Sequence, residues 1–164
     1  IIRIGTCGSM QPHITNGSLI IPTGIVRGGK TGEEYLPPEY PAVPHPDMLY
    51  ALMESSKASK NPIFVGITHC KDAFFKEEPE LMPNTEGVKN YWKMLRKANV
   101  LCSEMESDTL FVIASIRGIR TGAIFAAIGS VEGAPISAIV GIDAAIQVAV
   151  DAMRLTIKKD RKSL

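Results

Sequence analysis

Aromatic residues are scarce, at 6% of the 164-residue chain. That leaves few rings on which the bases of a nucleic-acid strand could stack. Charge of one sign is scarce too: 18 Lys and Arg stand against 17 Asp and Glu, a formal net charge of +1. Beyond a short basic tail at residues 158–162 there is no basic block, so a nucleic-acid partner has no electrostatic support. The three cysteines, Cys7, Cys70 and Cys102, are odd in number and form no CxxC pair. That argues against a disulfide framework and against a metal site, and for a reducing, cytoplasmic setting. No apolar run reaches membrane-spanning length, and no charged-then-apolar leader opens the chain. Position 1 is not Met. Ile1-Ile2-Arg3-Ile4 reads as a buried strand where termini are usually polar, and we expect a segment to precede it.

What is present is ordinary globular material. Hydrophobic residues make up 45% and charged residues 21%, and the length fits one domain with a sizeable core. Short apolar runs at residues 1–4, 19–21, 63–67 and 122–128 are bounded by Gly, Pro or polar residues. They predict strands covered on both faces. Helical spacing marks residues 46–58, 87–97, 104–118 (with Gly118 as a C-terminal cap) and 136–158. Strands separated by helices predict an α/β layered domain. Residues 27–45, rich in Gly and Pro, and residues 76–86, with Pro79 and Pro83, predict irregular stretches, and long loops of this kind often carry function.

Three motifs can carry chemistry. Arg3-Ile4-Gly5-Thr6-Cys7-Gly8 reads as a strand running into a glycine turn. At the carboxyl end of a strand in an open α/β sheet, such a turn brings backbone N–H groups close to an anion. Thr6 adds a hydroxyl, and Arg3 adds a planar fork suited to phosphate. A tight turn beside a surface Arg fits the same residues. Ser103-Glu104-Met105-Glu106 opens the third helix. Ser103 and Glu106 have capping-box spacing; equally, one glutamate can face a crevice and accept two hydrogen bonds from a sugar diol. Glutamates two apart do not share a helix face, so at most one serves each role. The run from Gly66 to Phe75 follows a strand and holds Thr68, His69, Asp72 and Phe74. Phe74 or Phe75 can wall a sugar or a base or pack in the core. His69 can be an acid or base or simply be hydrogen-bonded.

In this order, the motifs resemble the nucleoside phosphorylase family, uridine-phosphorylase-like members above all. Arg3 to Gly8 followed by Gln11-Pro12-His13-Ile14 is similar to the family's phosphate-binding strand and turn. Glu39-Tyr40-Pro41-Ala42-Val43 resembles its Glu-Phe-Pro-Ala-Val stretch. Gly66-Ile67-Thr68, Asp72 and Phe74 resemble the segment beside its base pocket. Glu104-Met105-Glu106-Ser107 with Thr109-Leu110 resembles its ribose-binding motif. Arg117-Gly118-Ile119-Arg120-Thr121-Gly122 continues the match. The resemblance implies a three-layer α/β fold, a central mixed β-sheet flanked by helices, here one partial domain over residues 1–164 without the family's N-terminal segment. It implies phosphorolysis of a nucleoside to free base and ribose 1-phosphate, with inorganic phosphate as co-substrate and no metal or organic cofactor. Arg3, Gly5 and Thr6 would bind phosphate. Glu104, Met105 and Glu106 would hold the ribose. Phe74 and Thr68 would line the base. Arg3, Thr6 and Glu106 would be the catalytic set. The partners would be small molecules, in a cytoplasmic homo-oligomer, a dimer or dimers built into a hexamer.

The sequence also departs from that pattern. The family's Gly-Asp-Pro loop, with its further phosphate-binding Arg, is absent. Where uridine phosphorylases carry a Gln and an Arg that read the pyrimidine, this chain has Glu78 and Glu80. Purine-type relatives place an Asp after the strand ending near Ile128; here the residues are Gly129-Ser130-Val131-Glu132, with Glu132 as a conceivable substitute. Two alternatives follow: a nucleoside hydrolase of the same fold, and a non-catalytic nucleoside-binding remnant.

Overall fold

A computed structural model describes residues 1–131 and 139–162. Five strands form the centre: β1 (Ile2–Ser9), β2 (Leu19–Gly28), β3 (Ile63–Lys71), β4 (Cys102–Glu104) and β5 (Gly122–Ser130). Four α-helices accompany them: α1 (Pro46–Ser56), α2 (Thr85–Lys97), α3 (Ser107–Ile116) and α4 (Ile142–Lys162). The strands close into a barrel in the order β1-β4-β3-β2-β5. The sheet is mixed: β1–β5, β2–β3 and β3–β4 are parallel, β1–β4 and β2–β5 antiparallel. The expected α/β architecture, a mixed central sheet flanked by helices, is the one observed.

Strand side chains alternate between two faces, and here both faces are covered. Ile20 and Phe125 point into a core with Cys7, Cys70, Cys102, Phe111 and Val112. Their neighbours Leu19, Ile21, Ile124 and Ala126 point the other way, onto α1 and α4 through Leu52, Ala145 and Ala149. This is why the strand segments read as continuous apolar runs. A third cluster holds α2 through Val88, Trp92 and Leu95 against Met10, Val100 and Val131.

Several boundaries differ from the sequence expectation. β1 does not turn at Gly5; it continues to Ser9 because β5 runs beside it, pairing Gly5 with Phe125 and Thr6 with Ala126. The register shifts between Cys7 and Gly8, so Gly8 marks an irregularity in a strand, a common place for glycine. β2 and β3 likewise outrun their apolar segments, to Gly28 and Lys71, each satisfying the other's backbone. Ser103 and Glu104 lie in β4, and α3 starts only at Ser107, which removes the Ser103–Glu106 capping box. The end of α3 is as expected: Gly118 has φ +63° and donates to Ser115 O, while Ile119 donates to Ala114 O. The last helix begins at Ile142. Residues 139–141 precede it, with Gly141 at φ +85°, and the expected portion at 136–138 lies outside the described residues. Among the described residues no helix is long and apolar enough to cross a membrane.

Candidate functional site

β4 pairs with β1 only through Gly8↔Ser103 and Ser9↔Cys102. Beyond that contact the two strands separate. The edge of β1 that faces away from β5 therefore has no strand partner over residues 3–7. A cleft of about 1310 Å³ opens there. Its lining includes Arg3, Gly5 and Thr6 from β1, Glu104, Met105 and Glu106 from the β4–α3 junction, and Phe74. Seven of the eight residues expected at the site thus share one cleft. Thr68, the eighth, does not line it. Thr68 is fully buried, and its hydroxyl has no partner. On β3 it faces the interior.

Arg3 lies along its own strand. A Cβ on Gly5 would sit 1.8 Å from Arg3 Nη1, so the missing side chain at Gly5 is what allows the guanidinium to rest there. Its Cζ also lies 5.2 Å from the centre of the Phe125 ring, a cation–π contact. The guanidinium then reaches both glutamates: Nη2 is 3.2 Å from Glu104 Oε2 and is ion-paired with Glu106 Oε2.

The two glutamates have different jobs. Glu104 is buried, and its carboxylate accepts from the N–H groups of Glu106 and Ser107 and from the Ser107 hydroxyl, at 3.0–3.2 Å. A carboxylate there satisfies otherwise orphaned donors at the start of α3 and complements the helix dipole. Glu106 sits at the N-cap position but makes no side-chain cap. Its side chain is 61% exposed, and Arg3 is the partner it reaches. It is the glutamate with acceptor capacity to spare.

Phe74 is 48% exposed and stacks edge-on against Phe75, with centroids 6.0 Å apart. Phe75 does not line the cleft. His69 is buried and lies edge-on to Trp92. Its Nδ1 is 2.9 Å from Ser103 Oγ, and its Nε2 has no partner. Burial, helped by the Lys76 and Lys71 charges, pulls its pKa down to about 3. His69 is thus a neutral structural group, removed from the cleft.

Other polar residues, inside and outside the matched motifs, hold loops. Arg27 donates to the carbonyls of Leu36, Pro37 and Tyr40. Asp72 accepts from Lys30 N–H, and Asp108 from Gly29 N–H. Tyr40 and Ser115 share a 2.6 Å hydrogen bond. Burial pushes the Cys70 and Cys102 thiols up, so both stay protonated. Among the described residues no group of His, Cys, Asp and Glu is placed to hold a metal, and Glu132 lies outside them.

Sequence reasoning missed Lys71 and Glu77. Both line the cleft and are ion-paired, and Lys71 also donates to Ser103 Oγ at 3.2 Å. The signal available was a lysine ending an apolar strand, which reads equally well as solvent-exposed.

Comparison with known sequences adds to this geometry. The profile of the phosphorylase superfamily matches residues 1–154. The uridine phosphorylase of Treponema pallidum (strain Nichols) is 38% identical over 164 positions, covering 97% of this chain and 64% of that protein. The uridine phosphorylase of Haemophilus influenzae is 35% identical over 130 positions, covering 75% of this chain and 50% of that protein. The guanosine phosphorylase of Halorubrum lacusprofundi is 35% identical over 123 positions, covering 75% and 47%. The chain thus spans between about half and 64% of the length of these relatives.

Proposed function

Since the chain belongs to the phosphorylase superfamily, we propose that it supplies the phosphate- and ribose-binding half of a nucleoside phosphorylase site, with uridine-type substrates favoured. The observation that carries this reading is the shared cleft: a strand edge with Arg3, Gly5 and Thr6 faces the Glu104-Met105-Glu106 junction. Arg3, Thr6 and the unpaired backbone edge of β1 suit a phosphate. Glu106 accepts from the ribose hydroxyls, Met105 packs on the sugar, and Phe74 covers the base. Glu104 holds the start of α3 so that Glu106 is presented.

The chemistry is one displacement. A phosphate oxygen forms a bond to C1′ as the C1′–N bond breaks, and the electron pair of that bond leaves with the base. The base takes up the proton that hydrogen phosphate gives up on becoming an ester. The protein positions the two substrates and supplies charge where the sugar becomes cationic. Neither metal nor organic cofactor has a task in this scheme. The working protein is read as a cytoplasmic homo-oligomer.

The names of the relatives cover both a pyrimidine and a purine nucleoside, so they do not narrow the base further. A second reading, nucleoside binding without turnover, draws on Glu78 and Glu80 at positions where the family reads a pyrimidine; Glu80 is already paired with Lys89. The deciding experiment is release of free base from uridine and from inosine, with and without phosphate. Phosphate-dependent release supports phosphorolysis. Phosphate-independent release points to a hydrolase, and thermal stabilisation without release to a binding protein.

A further inference from the structure

Lysine is almost never fully buried unless paired, and Lys71 is 1% exposed yet lines the cleft. Its ammonium carries three N–H donors. One goes to Glu77 Oε1 and one to Ser103 Oγ. The third has no acceptor among the described residues. Ser103 Oγ, which receives from Lys71, also lies 2.9 Å from His69 Nδ1. Those contacts hold the ammonium in place. Glu77 holds it through Oε1 alone. Its Oε2 lies over β1, where a Cβ on Gly8 would come within 3.2 Å. Both residues line the cleft, and between them one ammonium donor and one carboxylate oxygen are left without a partner among the described residues.

We infer that Lys71 and Glu77 read the base, and that they select bases with a lactam edge, a ring N–H beside a carbonyl, as in uracil and in 6-oxopurines. The inference rests on the phosphorolysis reading above and names its substrate class. Glu77 Oε2 accepts from the ring N–H, and Lys71 donates to the carbonyl oxygen. As the C1′–N bond breaks, its electron pair moves onto the base, and conjugation carries that charge to the carbonyl oxygen. An ammonium at that oxygen binds the transition state more strongly than the ground state. Cytosine and adenine carry an amino group where the carbonyl stands, which sets a donor against the Lys71 donor. Such a mismatch leaves buried polar groups unpaired and discriminates strongly.

The test compares phosphorolysis of uridine, inosine, cytidine and adenosine by the unaltered protein, Lys71→Met and Glu77→Gln. The expected result is kcat/KM about 100-fold or more higher for an oxo-nucleoside than for either amino-nucleoside. Uridine or inosine as the better substrate then tells a pyrimidine pocket from a purine one. Lys71→Met should lower kcat about 100-fold on the preferred substrate. It should lower kcat far less on that substrate's analogue with a better leaving base, 5-fluorouridine or 7-methylinosine. Glu77→Gln, at a partly exposed site, should keep the fold and narrow the oxo-over-amino preference; it decides the matter if Lys71→Met does not fold. Equal use of amino-nucleosides, an unchanged preference in Glu77→Gln, or an equal loss on good and poor leaving groups in Lys71→Met overturns the inference while leaving phosphorolysis standing. Absence of phosphate-dependent release of any base overturns both.

Discussion

Arg3 on β1 and Glu106 at the start of α3, 103 residues apart in sequence, are ion-paired across the mouth of the cleft. The proposed phosphate ligand and the proposed ribose ligand thus neutralise each other in the absence of substrates. Phosphate drawn to Arg3 releases Glu106, so the two substrates should bind with positive coupling. Calorimetric titration of nucleoside with saturating phosphate should show an affinity about 5- to 100-fold higher than without it. Equal affinities in the two titrations would remove the latch.

The two glutamates should separate in mutagenesis. Glu106→Gln removes an exposed ion pair, and its cost to stability should stay below about 1 kcal/mol. Nucleoside affinity should fall about tenfold or more, the value of a lost charge-assisted hydrogen bond. Glu104→Gln should do the reverse. It weakens several buried hydrogen bonds at the start of α3 and should cost roughly 2–3 kcal/mol. Urea denaturation and binding titrations on the pair would expose any mistake in the assignment.

Gly5→Ala probes the phosphate site from the backbone. The new Cβ would overlap Arg3 Nη1, the far end of a flexible side chain that can move away. Stability should change by less than about 1 kcal/mol, because no backbone is displaced. The phosphate KM should rise about tenfold as Arg3 leaves its place over Phe125. Initial rates at varied phosphate would check this, and an unchanged KM would free Arg3 from the phosphate role.

His69 sets a pH dependence. Its pKa is lowered from 6.5 to about 3 by burial, so between those values the unfolded chain holds a proton that the native protein does not. Stability is therefore fully present above pH 6.5 and falls as the pH drops toward 3, by up to about 1.4 kcal/mol per unit from this residue. His69→Leu should flatten that part of the stability curve, read as urea midpoints against pH. A slope identical to that of the unaltered protein would mean His69 is protonated in the fold.

The legible and illegible parts of the chain divide along physical lines. Apolar runs at Leu19–Ile21 and in β5 were readable because both faces of those strands are buried. β4 was not, because a three-residue strand, Cys102–Glu104, has no periodicity and exists only through its neighbours β1 and β3. The end of β1 was misread because its glycines fit a turn as well as a strand, and pairing with β5 decided between them. In the site, Arg3, Thr6, Glu106 and Phe74 were legible as candidates from their motifs, and all four line the cleft. The burial of Thr68 was not legible, because strand parity decides which way its side chain faces. Lys71 and Glu77 were hidden because a buried ion pair made by residues six apart leaves no mark that a surface pair would not.

The parallel pairing of Ile2 with Gly122 has a consequence for how the chain comes off the ribosome. β1 leaves the exit tunnel before β4 and β5, the two strands it pairs with here, and β5 follows about 120 residues later. At roughly 5–20 residues per second that is a wait on the order of 6–24 s with the β5-facing backbone edge of β1 unpaired. Neither β4, which holds only two residues of β1, nor the hairpin-free order of the barrel shortens it. Slow decoding ahead of β5 prolongs that wait, and a chaperone that masks β1 until β5 emerges shortens the time its edge is open to wrong partners.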